Sequence, residues 1–194
     1  MSVLRAHFTT NHTSWLKIKT CLPSGFKWAD VIGVVNLARL TGEISLLPTA
    51  LWLCCMQGAT LSEGMTYSDG EQETLSPEDL ALCVEGSRKL MHSAFTTVLR
   101  SFSPPLSESC KSLVGIDSCK CRSIDLAKAA LDMITIIPIH PGPITAYSPI
   151  QLQNFLPCVC KGCIATIAER QREAKHKAWM LLPSHFGLNI PGWS

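Results

Sequence analysis

Cysteine is the residue type with which this chain is best placed to do chemistry. Six of its ten cysteines fall in two groups, Cys110, Cys119 and Cys121 before one expected helix, and Cys158, Cys160 and Cys163 at the start of another. Cys160-Lys161-Gly162-Cys163 is a C-x-x-C turn, in which glycine relieves the crowding of two ligands folding round one ion. Its second thiolate would sit at a helix N-terminus, where the helix dipole favours the anion that zinc requires. A tetrahedral zinc needs a second pair, and Cys110 with Cys119 or Cys121 is the obvious supplier. The ligand set read from spacing is therefore Cys110, Cys119, Cys160 and Cys163, with Cys121 or Cys158 as substitutes, and one structural zinc as the cofactor. Loose thiols on a loop are the competing reading. Redox chemistry ranks third, because a thioredoxin-like C-x-x-C belongs beside a βαβ pattern and none is present.

Other candidates carry less. Cys54-Cys55 lies in an apolar run, where burial without a cation leaves a thiol inert, so core packing is the better reading. His7, His12, His92, His140, His176 and His185 form no Ser/His/Asp or H-E-x-x-H arrangement. Asp69, Glu71 and Glu73 lack the ligand order of a calcium loop and read as a solvated turn. There is no phosphate-binding glycine loop or dinucleotide fingerprint. Arg170, Arg172, Lys175 and Lys177 are interrupted by Glu169 and Glu173, as on ordinary solvated helix faces. Asn11-His12-Thr13 has the form of a glycosylation sequon and reads as chance.

The elements that must position these residues are mostly helices. Residues 1–27 read as an irregular tail, in which 16–19 alternate like a short strand. Val31, Ile32, Val35, Leu37 and Leu40 predict a helix over 29–42. Pro48 in a first turn opens an apolar, central helix through Cys55. A polar loop spans 58–75. Ser76-Pro77-Glu78-Asp79 then supplies an N-cap serine, a proline at the first helical position and two acids against the dipole. Helical spacing continues to Phe102, a length of about 39 Å at 1.5 Å per residue, laid across the apolar helix. A Ser- and Cys-bearing loop occupies 103–122, and Ser123-Ile124-Asp125 opens a further helix. Residues 136–139 should be extended, 140–143 an irregular connection, and 151–155 a short helix. The last helix is expected over 162–181, closed by Pro183 and Gly187, with Trp179 and Phe186 folding back. The fold class is thus all-α: five or six helices in one domain over 28–190, with a cysteine-rich C-terminal part.

Composition sets the outer bounds. The chain has 194 residues, 46% hydrophobic and 16% charged. That excludes intrinsic disorder, which needs low hydrophobicity and high net charge. A net charge of +2 does not by itself mark a nucleic-acid binder. Both ends are mildly basic and the middle is acidic. No apolar stretch reaches the roughly 18 residues of a membrane span, and the N-terminus lacks a signal-peptide core. A membrane is not an expected partner, and the expected location is cytoplasmic or nuclear, where ten thiols stay reduced.

Several phrases in order resemble the region C-terminal to the BTB/POZ domain in a group of fungal BTB-domain proteins. They are Val34-Val35-Asn36-Leu37-Ala38-Arg39, Leu46-Leu47-Pro48-Thr49-Ala50 with Cys54-Cys55, Leu75-Ser76-Pro77-Glu78-Asp79-Leu80, the Cys160/Cys163 turn, and 179–188. The resemblance spans about residues 30–190 and implies paired cysteines at the two places above. No BTB core is found, and residues before 30 match at most its trailing end. BTB dimerisation and recruitment of cullin-type ubiquitin ligases belong to that missing part. The expected function is a non-catalytic protein-interaction module, not an enzyme, binding through the acidic loop 63–73 or the basic ends. The alternative is a zinc-stabilised nucleic-acid-binding regulator; an enzyme using a thiol or histidine is third.

Overall fold

The computed structural model describes residues 2–17, 22–103, 107, 110, 119, 124, 125, 127, 128 and 159–194. These are mostly helical, with one two-stranded ribbon among the described residues. The chain divides into two compact units, Met1–Leu90 with Trp179–Ser194, and Met91–Ala178.

In the first unit, α3 (Asp30–Thr41) buries Val31, Ile32, Val34, Val35 and Ala38 against α4 (Leu47–Cys55). It ends where Gly42 turns left-handed at φ 71°, a conformation glycine adopts without the Cβ clash of other residues. Every residue of α4 is buried, as its apolar sequence predicts. The first part of α5 (Pro77–Phe102) meets α4 where the Cys83 carbonyl accepts the Cys55 thiol. Its N-cap is Ser76, whose Oγ accepts the Asp79 backbone N–H at 3.1 Å. Asp79 is 3% exposed and accepts three hydrogen bonds from the Arg39 guanidinium, two from Nε and one from Nη2, which fixes α5 to α3.

The region expected as a polar loop holds more structure than that. Residues Gly58–Glu63 form a 3₁₀ turn, and β1 (Met65–Thr66) pairs antiparallel with β2 (Gln72–Glu73). Strands of two residues are too short to show alternation. Asp69 and Glu71 are exposed at the ribbon tip, whereas Glu73 accepts from Tyr67 Oη and from Asn36 Nδ2.

Residues 1–27 also depart from expectation. Ser2–His7 (α1) and His12–Lys17 (α2) are short helices. The Asn11 side-chain oxygen caps α2 through the Ser14 N–H at 2.8 Å, and its amide nitrogen donates to Ser194 Oγ. Trp15 is buried while Leu16 is 55% exposed, the opposite of what a strand with Leu16 inward would do. Trp15 stands edge-on to Trp52 at 5.1 Å and beside Trp179 at 5.5 Å. The chain ends pair, His12 N–H to Ser194 O and Ser194 N–H to Thr10 O.

The last helix, α6 (Lys161–His185), runs past the expected stop and contains Pro183. Proline lacks the N–H that would bond the carbonyl four residues back, that of Trp179. The Trp193 indole N–H takes its place, donating to Trp179 O at 2.8 Å while the two rings stack at 4.6 Å. Trp179 returns its own indole N–H to Ser194 O. With its orphaned carbonyl satisfied, the helix continues through the proline. The chain then turns at Gly187, and Phe186 folds in with 1% exposure.

Candidate metal centre

The second unit holds the cysteine groups. Its described core consists of Phe102, Cys110, Cys119, Val159, Cys163, Ile164 and Ile167, with Val98, Ala127, Cys160 and Ala168 packed against it. Ile164 and Ile167 follow Cys163 along one face of α6, so the helix that presents the thiols also supplies their apolar floor. Val98 and Phe102 come from the end of α5. The Arg170 guanidinium donates to the Ser103 carbonyl and ties that end to α6. Ile124, Asp125, Ala127 and Lys128 are helical, where Ser123-Ile124-Asp125 predicts a helix. The expectations for 136–139, 140–143 and 151–155 lie outside the described residues.

The sulfurs of Cys110, Cys119, Cys160 and Cys163 all lie within 4.8 Å of one another. Four ligands at a Zn–S distance of about 2.3 Å sit about 3.8 Å apart at tetrahedral corners, so the spacing suits a single ion with slight contraction. None of the four is joined in a disulfide. The group can therefore hold a metal ion. Among the described residues it is the one cluster of three or more His, Cys, Asp or Glu side chains so arranged. Of the spacing alternatives, Cys119 joins the group; Cys121 and Cys158 lie outside the described residues.

Backbone groups prepare the cluster for negative charge. The Cys160 N–H donates to Cys119 Sγ at 3.4 Å. A backbone hydrogen bond from Cys163 holds the Cys160 thiol below its ordinary pKa, helped by its sulfur neighbours. Burial pushes Cys119 and Cys163 up. Spacing could not show these N–H···S bonds.

The remaining candidates are placed differently. Cys54 and Cys55 are 0% and 6% exposed in the first unit's core. The Cys55 thiol donates to the Cys83 carbonyl at 3.2 Å, and its side-chain hydrogen bond with Cys83, followed by burial, drives its pKa up. Cys83, which sequence reading did not single out, lies beside both and is raised chiefly through Cys54. These are core thiols. On α6, Arg172 pairs with Glu169, Arg170 is spent on Ser103, and burial lowers Lys175, which leaves a poor phosphate-binding stripe. Arg5, in the basic N-terminal segment, pairs with Glu43. No helix among the described residues is long and apolar enough to cross a membrane. Compared with known proteins, the chain matches no family model, no curated protein and no solved structure.

Proposed function

We propose that the chain is a non-catalytic protein-interaction module whose second unit is held together by one structural zinc ion, bound by Cys110, Cys119, Cys160 and Cys163. One observation carries this reading: four sulfurs from three separate places in the sequence meet within 4.8 Å inside an apolar core. All-thiolate, four-coordinate surroundings favour zinc over oxygen-seeking ions, and a closed set of four protein ligands leaves no open position for substrate. In the first unit Cys54, Cys55 and Cys83 are buried, and Cys55 and Cys83 are raised in pKa, which speaks against nucleophilic use. The partner-binding part of the reading follows the resemblance to the region after a BTB domain.

Elemental analysis of freshly purified protein tests the metal; about one zinc per chain is expected, and none contradicts the assignment. For the partner, crosslinking followed by capture with Asp69→Asn/Glu71→Gln protein tests the acidic ribbon tip. Undiminished capture removes that surface from the account.

A further inference from the structure

Exposure divides the four ligand cysteines unevenly. Cys110, Cys119 and Cys163 are 8%, 2% and 0% exposed, whereas Cys160 is partly open to solvent. A small reagent arriving from water therefore meets Cys160 first, with three more sulfurs within 4.8 Å behind it. Exposure and thiolate character together decide which cysteines oxidise, and metal binding requires the thiolate form. We propose that hydroperoxides open the centre through Cys160, so that oxidation releases the metal from the second unit. This rests on the zinc reading above.

The chemistry balances with one peroxide. The Cys160 sulfur attacks an oxygen of hydrogen peroxide; an S–O bond forms, the O–O bond breaks, and the departing hydroxide is protonated by solvent. One of the three neighbouring thiolates then attacks the Cys160 sulfur. An S–S bond forms, the S–O bond breaks, and the second hydroxide is protonated to water. Two sulfurs have given up two electrons, the peroxide has taken them, and two solvent protons complete two waters. Two of four ligands are then lost to a disulfide, and the remaining pair no longer closes a tetrahedral site.

The first unit contains its own control. Cys54, Cys55 and Cys83 are also close together, but they are 0%, 6% and 1% exposed. They should stay reduced while the cluster reacts.

The test uses the zinc-loaded full chain, one equivalent of hydrogen peroxide at neutral pH, a colorimetric zinc indicator, and peptide mapping after differential alkylation. The expected result is zinc release in step with a disulfide that includes Cys160, with Cys54, Cys55 and Cys83 still reduced. Zinc release with disulfides that omit Cys160, or earlier oxidation of the first-unit thiols, would overturn the proposal. Cys160→His adds a second arm, because zinc accepts a Cys₃His set. Once loaded, that variant should release zinc at least about tenfold more slowly, since the accessible thiolate is gone; an equal rate overturns the proposal. Protein that neither carries zinc nor takes it up at the outset would instead sink the zinc reading itself.

Discussion

His185 shows how a single side chain can make the first unit sensitive to pH. Its Nε2 is buried without a hydrogen-bond partner, and Lys89 Nζ donates to its carbonyl at 3.3 Å. Burial, with the Lys89 charge second, lowers its pKa from the usual value near 6.5. The folded state thus resists a proton that the unfolded chain accepts. The resulting stability is fully present above about pH 6.5 and is lost as pH falls through the folded value. Denaturant unfolding followed by tryptophan emission should give a lower midpoint at pH 5.5 than at pH 7.5. His185→Asn should shrink that difference, and an unchanged difference would remove His185 as the cause. Trp193 is a second residue with a definable task. Trp193→Phe keeps the stacked ring but withdraws the donor from the Trp179 carbonyl that Pro183 leaves open. A buried carbonyl left unbonded costs about 1–3 kcal/mol, so thermal melting should fall by several degrees. Equal melting temperatures would mean that water replaces the indole.

At the scale of elements, Phe186, just after α6, leaves no room for a side chain at Gly86 of α5. A Cβ on Gly86 would stand 2.3 Å from Phe186 Cε1, and Phe186 is 1% exposed with nowhere to retreat. Alanine is the better helix former by about 1 kcal/mol, yet overpacking a tight core costs about 1–3 kcal/mol. Gly86→Ala should therefore destabilise despite its gain in propensity, as urea unfolding would read; a raised midpoint would contradict the packing. Long-period signals were the legible ones. α3, α4 and α5 were readable because each combines a buried face with a terminal signal: Gly42, Pro48 and Ser76-Pro77. The C-x-x-C turn was readable because its spacing encodes a local geometry. What escaped was structure set by distant contacts. α2 exists because Trp15 finds Trp52 and Trp179, more than thirty residues away. α6 passes Pro183 because Trp193 supplies the missing donor. The ribbon of β1 and β2 is too short to alternate. Spacing named Cys119, with Cys121 as its substitute, but could not show the Cys160 amide that donates to the Cys119 sulfur.

For the molecule as a whole, the two units draw on different sources of stability. The first has a large apolar core and all five tryptophans, Trp15, Trp28, Trp52, Trp179 and Trp193. In the described core of the second, three of the seven residues are cysteines of the candidate centre. Structural zinc contributes about 10–16 kcal/mol in small model systems, comparable to the roughly 5–15 kcal/mol that holds a whole domain. Taking out the ion should therefore cost the second unit far more than the first. The most direct measurement is removal of metal by a strong chelator from protein of known zinc content, with far-UV circular dichroism and tryptophan emission recorded together. The account predicts loss of helical signal and of hydrogen-exchange protection at 91–178, with tryptophan emission preserved and recovery on adding one equivalent of zinc. Helical signal, protection and melting all unchanged in chelator would contradict it.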